Sequence, residues 1–455
     1  MIYDCIIVGG GAAGLYAASQ LAYMKNRANT SLSVLVLEKK RKPGNKILVT
    51  GSGQCNITHG GSIKDFIGCY GDNGKSVRKV LYAHNNEDVR EHFEMLGVRT
   101  FEREDGKVFP VSLSAEEVRE ALERHALESG FDIIPMREVT AISTETDGVY
   151  NVYADSTSHM APGYTPGKTL EDGSQCQNSS APFKYCYKAR SVIIACGGMS
   201  YPGTGSDGSI FPVLENLGIE ITEMMPALVP IHVNDYPYGE LSGISIAGTE
   251  LRVEGGKPMR GDLLFTHNSL SGPLVINNSR YLKPGMKVSF SYLPGIDTST
   301  FSKALKDGAK GSKKNLETLI TETCEALDCR IPKRLIELIV ERAETALNAK
   351  LKAEKASSVS GKALDLISKY LTNDQFTVNS LGSWNQAMCT AGGVALSEID
   401  LSTMESKKYP HLFIIGETLD IDGDTGGYNL QFAFSSAYAA VKQLTNKNLT
   451  KENIQ

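Results

Sequence analysis

The sequence has no excess of one charge and no long apolar run. It carries 47 basic and 52 acidic residues among 455, and its net charge of −5 gives no general attraction to nucleic acid or to anionic membranes. No apolar run is long enough to cross a bilayer, and Met1 leads directly into a predicted strand, which leaves no room for a signal peptide. We therefore expect a cytoplasmic protein without a membrane or nucleic-acid partner.

Paired cysteines are also absent. The nine cysteines form no C-x-x-C pair, and no cluster of cysteine and histidine has the spacing of a zinc site. The lack of a pair excludes the usual dithiol motif of disulfide reductases. An odd number of cysteines in a cytoplasmic protein indicates free thiols, and we predict no metal site.

What the sequence does have is a dinucleotide-binding pattern in its first 38 residues. An apolar strand over residues 2–8 runs into Gly9, Gly11 and Gly14, the glycines of G-x-G-x-x-G, and an apolar helix and a second strand ending in Glu38 follow. Such glycines permit a tight turn, close approach of a pyrophosphate and close packing of helix on strand, while the acid accepts hydrogen bonds from a ribose. The N-terminus of the helix attracts phosphate. Strand, glycines, helix and acid together predict a dinucleotide site.

The rest of the chain predicts an α/β protein whose Rossmann-like domain is split by insertions. Strand-rich sequence with many glycine and proline breaks indicates a β-barrel, and lysine-rich sequence of helical period indicates a small helical domain. The predicted nucleotide-binding domain comprises residues 1–208 and 384–455, the barrel 209–297 and 372–383, and the helical domain 298–371.

Two further observations bear on the predicted domain organisation. Residues 155–182, rich in serine, proline and glycine, are expected to form a mobile surface loop. No second G-x-G-x-x-G follows a buried strand between residues 200 and 385, so a separate nicotinamide-binding domain is not expected. If NAD(P)H donates electrons, it must dock transiently.

Three further segments carry a resemblance to a known family. They are PGNKILVTGSGQCNITH (43–59), ACGGMSYPGTGSDG (195–208) and GETLDIDGDTGGYNLQFAFSSAYAA (416–440). Together they closely resemble the aminoacetone oxidase-like family of FAD-binding flavoproteins, which includes bile-acid-operon reductases and is related to the two-dinucleotide-binding-domain flavoproteins. The resemblance covers essentially the whole chain and implies an FAD domain with inserted barrel and helical domains. Because no histidine or cysteine is placed to attach the ring, we expect the FAD to be non-covalent.

The motifs and the resemblance together give a set of expected FAD-binding residues. Glu38 should hold the adenosine ribose, the backbone of Val139 should read the adenine, and the turn before Tyr428 should aim a helix N-terminus at the flavin N1/C2=O edge. The full set is Gly9, Gly11, Ala12, Ala13, Gly14, Glu38, Lys39, Lys46, Gly51, Gly53, Cys55, Asn56, Val139, Ala195, Gly197, Gly198, Gly416, Glu417, Gly426, Gly427, Tyr428, Asn429, Leu430 and Gln431.

Two positions depart from the family pattern. Gln54 stands before the Cys55-Asn56 pair, and Asn45 stands before Lys46, where the family often has basic residues. Either change could weaken electrostatic stabilisation near the flavin or the phosphates. FAD binding itself should survive, because backbone N–H groups carry much of it.

No catalytic acid or base can be assigned from the sequence. Cys55, in the glycine loop, is a candidate redox thiol or a small packing residue. His267 is a candidate proton donor or a structural histidine, and Tyr428 is a candidate substrate contact or a packing residue.

We predict an FAD-dependent oxidoreductase that acts on a small or medium organic molecule by hydride transfer. The reaction is either oxidation of an amine with O₂ or NAD(P)H-dependent reduction of an enone-type substrate. A tRNA-modifying flavoprotein is the alternative from another class, and a flavin-binding regulatory module is a third. The oligomeric state is not indicated.

Overall fold

A computed structural model of the protein describes residues 1–157 and 184–452. The chain divides into two compact units, one formed by Met1–Pro226 with Trp384–Gln455 and the other by Ala227–Ser383. The predicted mobile loop lies outside the described residues except at its start, where residues up to 156 belong to a strand. Within the described residues, no helix has the length and apolar content that crossing a membrane requires.

The strands are numbered in chain order. They are β1 (Ile2–Val8), β2 (Val34–Leu37), β3 (Thr58–His59), β4 (Thr100–Glu102), β5 (Lys107–Pro110), β6 (Asp132–Ile134), β7 (Arg137–Thr144), β8 (Tyr150–Ser156), β9 (Tyr185–Ile194), β10 (Met225–Ala227), β11 (Ile231–Val233), β12 (Ser245–Val253), β13 (Met259–Phe265), β14 (Leu270–Ser271), β15 (Lys287–Ser291), β16 (Asp374–Leu381), β17 (Cys389–Ala391), β18 (Ile399–Asp400), β19 (Glu405–Ser406) and β20 (Leu412–Ile414).

The α-helices are numbered in the same way. They are α1 (Ala12–Ala28), α2 (Ile63–Phe66), α3 (Gly74–Ala83), α4 (Asn86–Met95), α5 (Ala115–Glu128), α6 (Phe211–Asn216), α7 (Pro273–Asn278), α8 (Thr298–Ala309), α9 (Leu316–Ala326), α10 (Lys333–Leu347), α11 (Gly361–Thr372) and α12 (Tyr428–Glu452).

The first unit is built on a sheet with the strand order β18-β19-β20-β9-β1-β2-β6, and β7 and β8 continue from β9 as an antiparallel extension. Strands β20, β9, β1, β2 and β6 are parallel neighbours. Strand β2 is buried along its whole length, as apolar strands of a sheet covered on both faces are. Helices α1, α5 and α12 pack together beside the sheet. The carboxyl ends of the parallel strands meet at one edge, where ligands bind in such folds.

A cluster of uncharged polar side chains, formed by two residues of α1 and three histidines, lies largely buried in the first unit. Tyr16 Oη is 2.7 Å from His84 Nε2, and Ser19 Oγ lies 2.9 Å from His92 Nε2 and 2.8 Å from His125 Nδ1. Burial lowers the pKa of His84 to about 4 and the pKa of His92 to about 3, so both imidazoles are neutral at physiological pH. Burial also lowers the pKa of His125.

The second unit is a closed antiparallel barrel, in the order β11-β14-β13-β12-β15-β16, with α8 to α11 in the same unit. Apolar side chains of the barrel and of these helices form one continuous core. The expected Rossmann-like domain, barrel and helices are therefore confirmed as the fold class. Residues 209–226 fall with the first unit, and the division into three domains remains a prediction.

One ionic network is enclosed within the second unit. Asp374 is fully buried and accepts hydrogen bonds from Arg342 Nη1 at 2.9 Å and from Tyr292 Oη at 2.9 Å. Tyr238 Oη donates to the same carboxylate and accepts from Arg342 at 2.7 Å. Burial raises the pKa of Asp374, and the Arg342 cation opposes this rise. The network joins α10 to the barrel strand β16.

Candidate functional site

A cleft opens in the first unit where the parallel strands end. Its walls come from the end of β1, the N-terminus of α1, the end of β2, the start of β7, the loop after β9 and the first turn of α12. All of its lining residues belong to the first unit. The cleft therefore lies where the sequence pattern predicts a dinucleotide.

The three glycines of the motif have different surroundings. A Cβ at Gly9, where φ is +99°, would lie 2.6 Å from the carbonyl oxygen of Ala195, and one at Gly14 would lie 1.9 Å from that of Gly9. At Gly11 the φ is −77°, and the nearest such atom is 3.9 Å away. Gly9 and Gly14 are therefore required by packing, whereas Gly11 borders open space in the cleft that a phosphate can fill.

The N-terminus of α1 adds an anion site to this turn. No side chain caps the helix at Gly11, and its first turn contains no acidic residue. Ala12 and Ala13 line the cleft. Since the first N–H groups of a helix have no partner within it and carry partial positive charge, this terminus suits a pyrophosphate.

Glu38 lies at the carboxyl end of β2 with its carboxylate held by backbone donors. Its oxygens accept hydrogen bonds from the N–H of Gly10 at 2.9 Å and of Lys40 at 2.7 Å. Burial raises the pKa of Glu38, and these two N–H groups oppose the rise. A carboxylate has four acceptor positions, so that of Glu38 can still accept a hydrogen bond from a ribose hydroxyl.

Lys39 joins two loops at the same end of the cleft. Its Nζ contacts the Asp207 carboxylate, donates to Ser209 Oγ at 2.8 Å and lies 3.8 Å from Glu138. The two carboxylates neutralise its charge. Lys39 therefore closes this end of the cleft by tying β2 to the loop after β9.

A second ion pair lies in the wall of the cleft. Lys46 Nζ donates to Glu417 Oε2 and to Ser200 Oγ, both at 2.5 Å. The other Glu417 oxygen accepts from the Thr390 N–H at 2.9 Å and from Ser200 Oγ at 2.5 Å. Four residues thus fix one carboxylate and one ammonium group in the lining of the cleft.

The structure brings about half of the expected FAD-binding residues together in this cleft. Those that line it are Gly9, Gly11, Ala12, Ala13, Glu38, Lys39, Lys46, Val139, Ala195, Gly197, Glu417, Asn429 and Leu430. Those that do not line it are Gly14, Gly51, Gly53, Cys55, Asn56, Gly198, Gly416, Gly426, Gly427, Tyr428 and Gln431. Direct contact of each residue with FAD stays a prediction.

The turn before α12 holds Tyr428 in an aromatic cluster. The Tyr428 ring stacks on His59 at 5.2 Å between centroids, and Phe66 meets its edge at 5.0 Å. Tyr70 Oη donates to the Tyr428 carbonyl at 2.8 Å. A Cβ at Gly427 would lie 2.5 Å from the Thr58 carbonyl oxygen. These contacts support the packing interpretation of Tyr428.

Two amides in the first turn of α12 are also engaged in structural contacts. Asn429 accepts from the Gly423 N–H and donates to the Gly423 carbonyl, both at 2.8 Å. Gln431 is fully buried, accepts from Thr58 Oγ1 at 2.6 Å and donates to Ser435 Oγ at 2.9 Å. Only Asn429 of the two lines the cleft, and its amide already binds the backbone.

The two remaining catalytic candidates differ in exposure. Cys55 is fully buried with a φ of +58°, and burial raises the pKa of its thiol to about 12, so it stays protonated and supports the packing interpretation. His267 is exposed in a turn of the second unit. Its role as a proton donor stays a prediction.

The departures from the family pattern have local explanations. Gln54 Oε1 accepts from Arg103 Nη2 at 2.6 Å, and the Arg103 guanidinium lies 3.9 Å from the centre of the Phe109 ring. The Arg103 cation, from the turn between β4 and β5, therefore lies beside Gln54, the position at which the family often has a basic residue. Asn45 lines the cleft and donates to the Lys42 carbonyl at 3.0 Å.

Sequence reasoning missed several residues of the cleft. They include Gly44, Ile47, Thr50, Arg137, Glu138, Cys196, Thr204, Gly205, Ser206, Asp207, Gly208, Ser209, Ile210, Met388, Ile415 and Ala433. All of the residues from Thr204 to Gly208 belong to the glycine-rich segment 195–208, and that segment was the signal that could have found them. Arg137 and Met388 had no such signal.

Comparison with known proteins settles the family. The model of the HI0933-like protein Rossmann domain matches residues 3–164 and 171–443. The chain belongs to the HI0933-like family. This membership confirms the predicted class, an FAD-dependent oxidoreductase, and with it the resemblance inferred from the motifs. FAD is thus the cofactor that the cleft must accommodate.

Two relatives of this HI0933-like protein align over nearly their whole length. It is 29% identical to a ribosomal RNA dihydrouridine synthase from Haemophilus influenzae, over 97% of this chain and 98% of the relative. It is 28% identical to a 3-dehydro-bile acid delta(4,6)-reductase from Clostridium scindens, over 95% of this chain and 97% of the relative. The first name runs against the expectation that nucleic acid is not a partner.

A solved structure shows the same fold. The 3-ketosteroid delta1-dehydrogenase from Sterolibacterium denitrificans, in complex with 1,4-androstadiene-3,17-dione, is 13% identical to the HI0933-like chain with a TM-score of 0.50. The alignment covers 98% of this chain and all of that one. At this identity the likeness concerns the fold alone.

Proposed function

We propose that the protein uses non-covalent FAD to reduce a carbon–carbon double bond conjugated to a carbonyl group. The observation that carries the proposal is common to the two relatives. A delta(4,6)-reductase of a 3-dehydro-bile acid and a dihydrouridine synthase are both named for saturating such a bond, and both align with nearly the whole chain. Amine oxidation, the other reaction expected from the resemblance, has no counterpart in these names.

The residues of the cleft fit this role. FAD, when bound, supplies hydride transfer. The open space at Gly11 and the uncapped N-terminus of α1 suit its pyrophosphate, and Glu38 suits its adenosine ribose. Asn429 and Leu430 line the cleft in the first turn of α12, which has no acidic residue, so the partial positive charge of this helix faces the ligand. Such a charge favours an electron-accepting ring.

The proposal is tested with the purified holoprotein under anaerobic conditions. Acid precipitation should release the FAD into the supernatant, because no covalent bond holds it. After reduction by NADH, NADPH or dithionite, addition of a 3-oxo-delta(4,6) steroid should restore the absorbance of oxidised flavin, and mass spectrometry should show a steroid with two more hydrogens.

Two outcomes would contradict the proposal. Colour that stays with the acid precipitate would show a covalent flavin. Reduced flavin that no conjugated carbonyl compound reoxidises, together with oxidised flavin that a primary amine bleaches, would show an amine oxidase instead. The comparison of NADH with NADPH and dithionite also identifies the electron donor.

A second candidate is reduction of uridine in RNA, the activity class of the Haemophilus relative's name. It uses the same chemistry, because the uridine double bond is conjugated to a ring carbonyl. Repeating the experiment with ribosomal RNA in place of the steroid distinguishes the two candidates. Reoxidation by RNA with formation of dihydrouridine, and none by the steroid, would establish the second candidate.

A further inference from the structure

One side chain in the cleft carries a positive charge that none of the described acidic residues neutralises. Arg137 lines the cleft, and within the described residues no carboxylate lies at ion-pair distance from it, whereas Lys39 and Lys46 are both paired. The Arg137 side chain is half-buried at the edge of this cavity, where an electron-rich ligand could contact the cation. The sequence interpretation did not single out this residue.

The backbone fixes Arg137 next to Glu38. The N–H of Arg137 donates to the Glu38 carbonyl at 2.9 Å, and the N–H of Met136 donates to the Lys40 carbonyl at 3.2 Å. Met136 itself has a φ of +60°, a conformation that side chains with a Cβ rarely adopt. The chain is therefore held to the end of β2, at the acid expected to bind the adenosine ribose.

The guanidinium of Arg137 is held as a flat platform. Its carbon lies 3.9 Å from the centre of the Tyr185 ring, which covers one face. Nε donates to Tyr187 Oη at 3.2 Å, and Nη1 donates to the Met136 carbonyl at 3.1 Å. A planar cation already stacked on an aromatic ring can stack a second flat, electron-rich group on its other face.

A hydroxyl group in the same cleft has no hydrogen-bond partner in the described part of the chain. Ser206 is only 6% exposed and lines the cleft, and no described residue forms a hydrogen bond with its Oγ. Its loop is fixed to the end of β2 through Lys39 and the adjacent Asp207. A buried hydroxyl without a hydrogen bond is unfavourable, so a polar ligand atom at this position would remove the penalty.

We propose that Arg137 and Ser206 bind the adenosine half of the dinucleotide, with the Arg137 guanidinium stacked on the adenine and the Ser206 hydroxyl bonded to the ribose or its phosphate. The inference rests on the proposed use of FAD. It assigns recognition of the base to a side chain, beyond the backbone contact expected from Val139. It also implies that ADP alone binds the apoprotein at this end of the cleft.

The test measures dissociation constants of FAD and ADP for the apoprotein by isothermal titration calorimetry. Arg137→Ala should weaken FAD and ADP by the same factor, about tenfold, because both contain the stacked base. Arg137→Lys should recover little, since an ammonium group is not planar. Ser206→Ala should weaken both ligands several-fold. Circular dichroism and thermal unfolding confirm that each variant is folded.

Two control variants separate a local effect from a general one. Arg190→Ala removes an exposed arginine of β9 outside the cleft, and both affinities should stay unchanged. Lys46→Met should weaken FAD while leaving ADP binding intact, if Lys46 lies along the other half of the ligand.

The inference is overturned if wild-type apoprotein does not bind ADP, or if Arg137→Ala binds ADP as wild type does. It is also overturned if Lys46→Met and Arg137→Ala lose ADP equally, since this would indicate a general disturbance. Failure of the proposed function is distinct from these results. It would appear as a wild-type protein that binds FAD and ADP but, once reduced, transfers no electrons to a conjugated carbonyl compound.

Discussion

The carboxylate of Asp374 in the second unit and that of Glu417 in the first are each bound to a basic side chain and to at least one hydroxyl group. Asp374 is fully buried, and Arg342, Tyr238 and Tyr292 enclose it. Glu417 lies instead in the wall of a cleft, bound to Lys46. A hydrogen-bonded ion pair thus stabilises the core of the second unit, whereas a similar ion pair lines the cleft of the first unit.

The two units also differ in their buried polar atoms that lack a hydrogen-bond partner. In residues 227–383, all of which the structure describes, every buried side-chain oxygen and nitrogen has a hydrogen-bond partner. In the described part of the first unit, the buried oxygens without one include Asn56 Oδ1, Thr140 Oγ1, Ser206 Oγ and Glu398 Oε2. Of these four, only Ser206 lines the cleft, where a ligand could supply the missing hydrogen bond.

The largest effect is expected from breaking the enclosed network. Arg342→Met leaves the buried Asp374 carboxylate without its cation and should lower the free energy of unfolding by about 3–5 kcal/mol. Hydrogen exchange of peptides from residues 227–383 measures the loss. FAD affinity should stay within about twofold, because none of these side chains lines the cleft.

The control for this variant is Arg334→Met on the same helix. Arg334 is partly exposed, pairs with Glu337 at 2.9 Å and contacts the Glu240 carboxylate, so its loss should lower stability much less than the loss of Arg342. Equal loss in the two variants would remove the distinction between an enclosed and a surface ion pair.

The next largest effect is expected from acid, which should lower the free energy of unfolding of the first unit. His84 and His92 have a lower pKa in the folded protein than the value of about 6.5 in the unfolded chain, so the unfolded state binds more protons below that pH. Stability is complete above pH 6.5 and decreases by about 1.4 kcal/mol per pH unit for each histidine as the pH falls towards 4. Between pH 7 and pH 5 the expected loss from the two histidines together is about 4 kcal/mol.

Urea unfolding followed by the fluorescence of Trp384, the single tryptophan, measures this loss because Trp384 belongs to the first unit. His92→Gln should reduce the pH dependence, and the exposed His267→Gln should not. A wild-type stability that is constant from pH 7 to pH 5 would show that the buried imidazoles do not stay neutral in the folded state.

The third expected effect is on the cleft alone. Gly11→Val fills the open space that the pyrophosphate needs, and FAD affinity should fall by about 100-fold, equivalent to about 2.7 kcal/mol. Stability should change little, because the φ of −77° suits any residue and the new Cβ meets no other protein atom closer than 3.9 Å. Fluorescence titration of apoprotein with FAD gives the affinity.

Gly68→Val is the matched control, since a Cβ at Gly68 would also meet open space but lies outside the cleft. Loss of FAD binding in both variants, or in neither, would argue against placing the pyrophosphate at Gly11.

The smallest expected effect concerns the contact that closes one end of the cleft. Asp207→Asn removes the charge that Lys39 binds and should raise the FAD dissociation constant about threefold, the range of a partly exposed ion pair. The difference from wild type should shrink at high salt. Glu215→Gln, an exposed change on α6, should have no effect. A variant that binds FAD more tightly would show that the contact obstructs the ligand.

Much of the first unit could be predicted because its signals are local. The strand over residues 2–8 is found as expected, and the Asp105-Gly106 pair, a typical hairpin turn, connects β4 to β5 with Gly106 at a φ of +78°. Ser114 and Glu117 have the spacing of a capping box, but only half of it forms, since the Glu117 carboxylate binds Ser112 instead. A complete box occurs at α4, where Asn85 is the cap. Spacing alone therefore does not decide which acid completes a box.

The cleft was less predictable because its contacts join distant parts of the chain. Arg137 depends on Tyr185 and Tyr187, nearly fifty residues away, and no motif connects them. Asn429 lies where the motif predicts, but its amide binds Gly423. Local sequence can thus place a residue at a site without indicating which atoms its side chain will meet.

The strand order has a consequence for how the protein is made on the ribosome. Strand β20 and helix α12, which complete the sheet and one wall of the cleft, are translated after the entire barrel unit. The nascent chain can therefore fold Ala227–Ser383 while the first unit still lacks its last parallel strand. We expect the cofactor to enter only after synthesis ends, so a premature stop after residue 383 would yield a folded barrel beside an incomplete nucleotide-binding sheet.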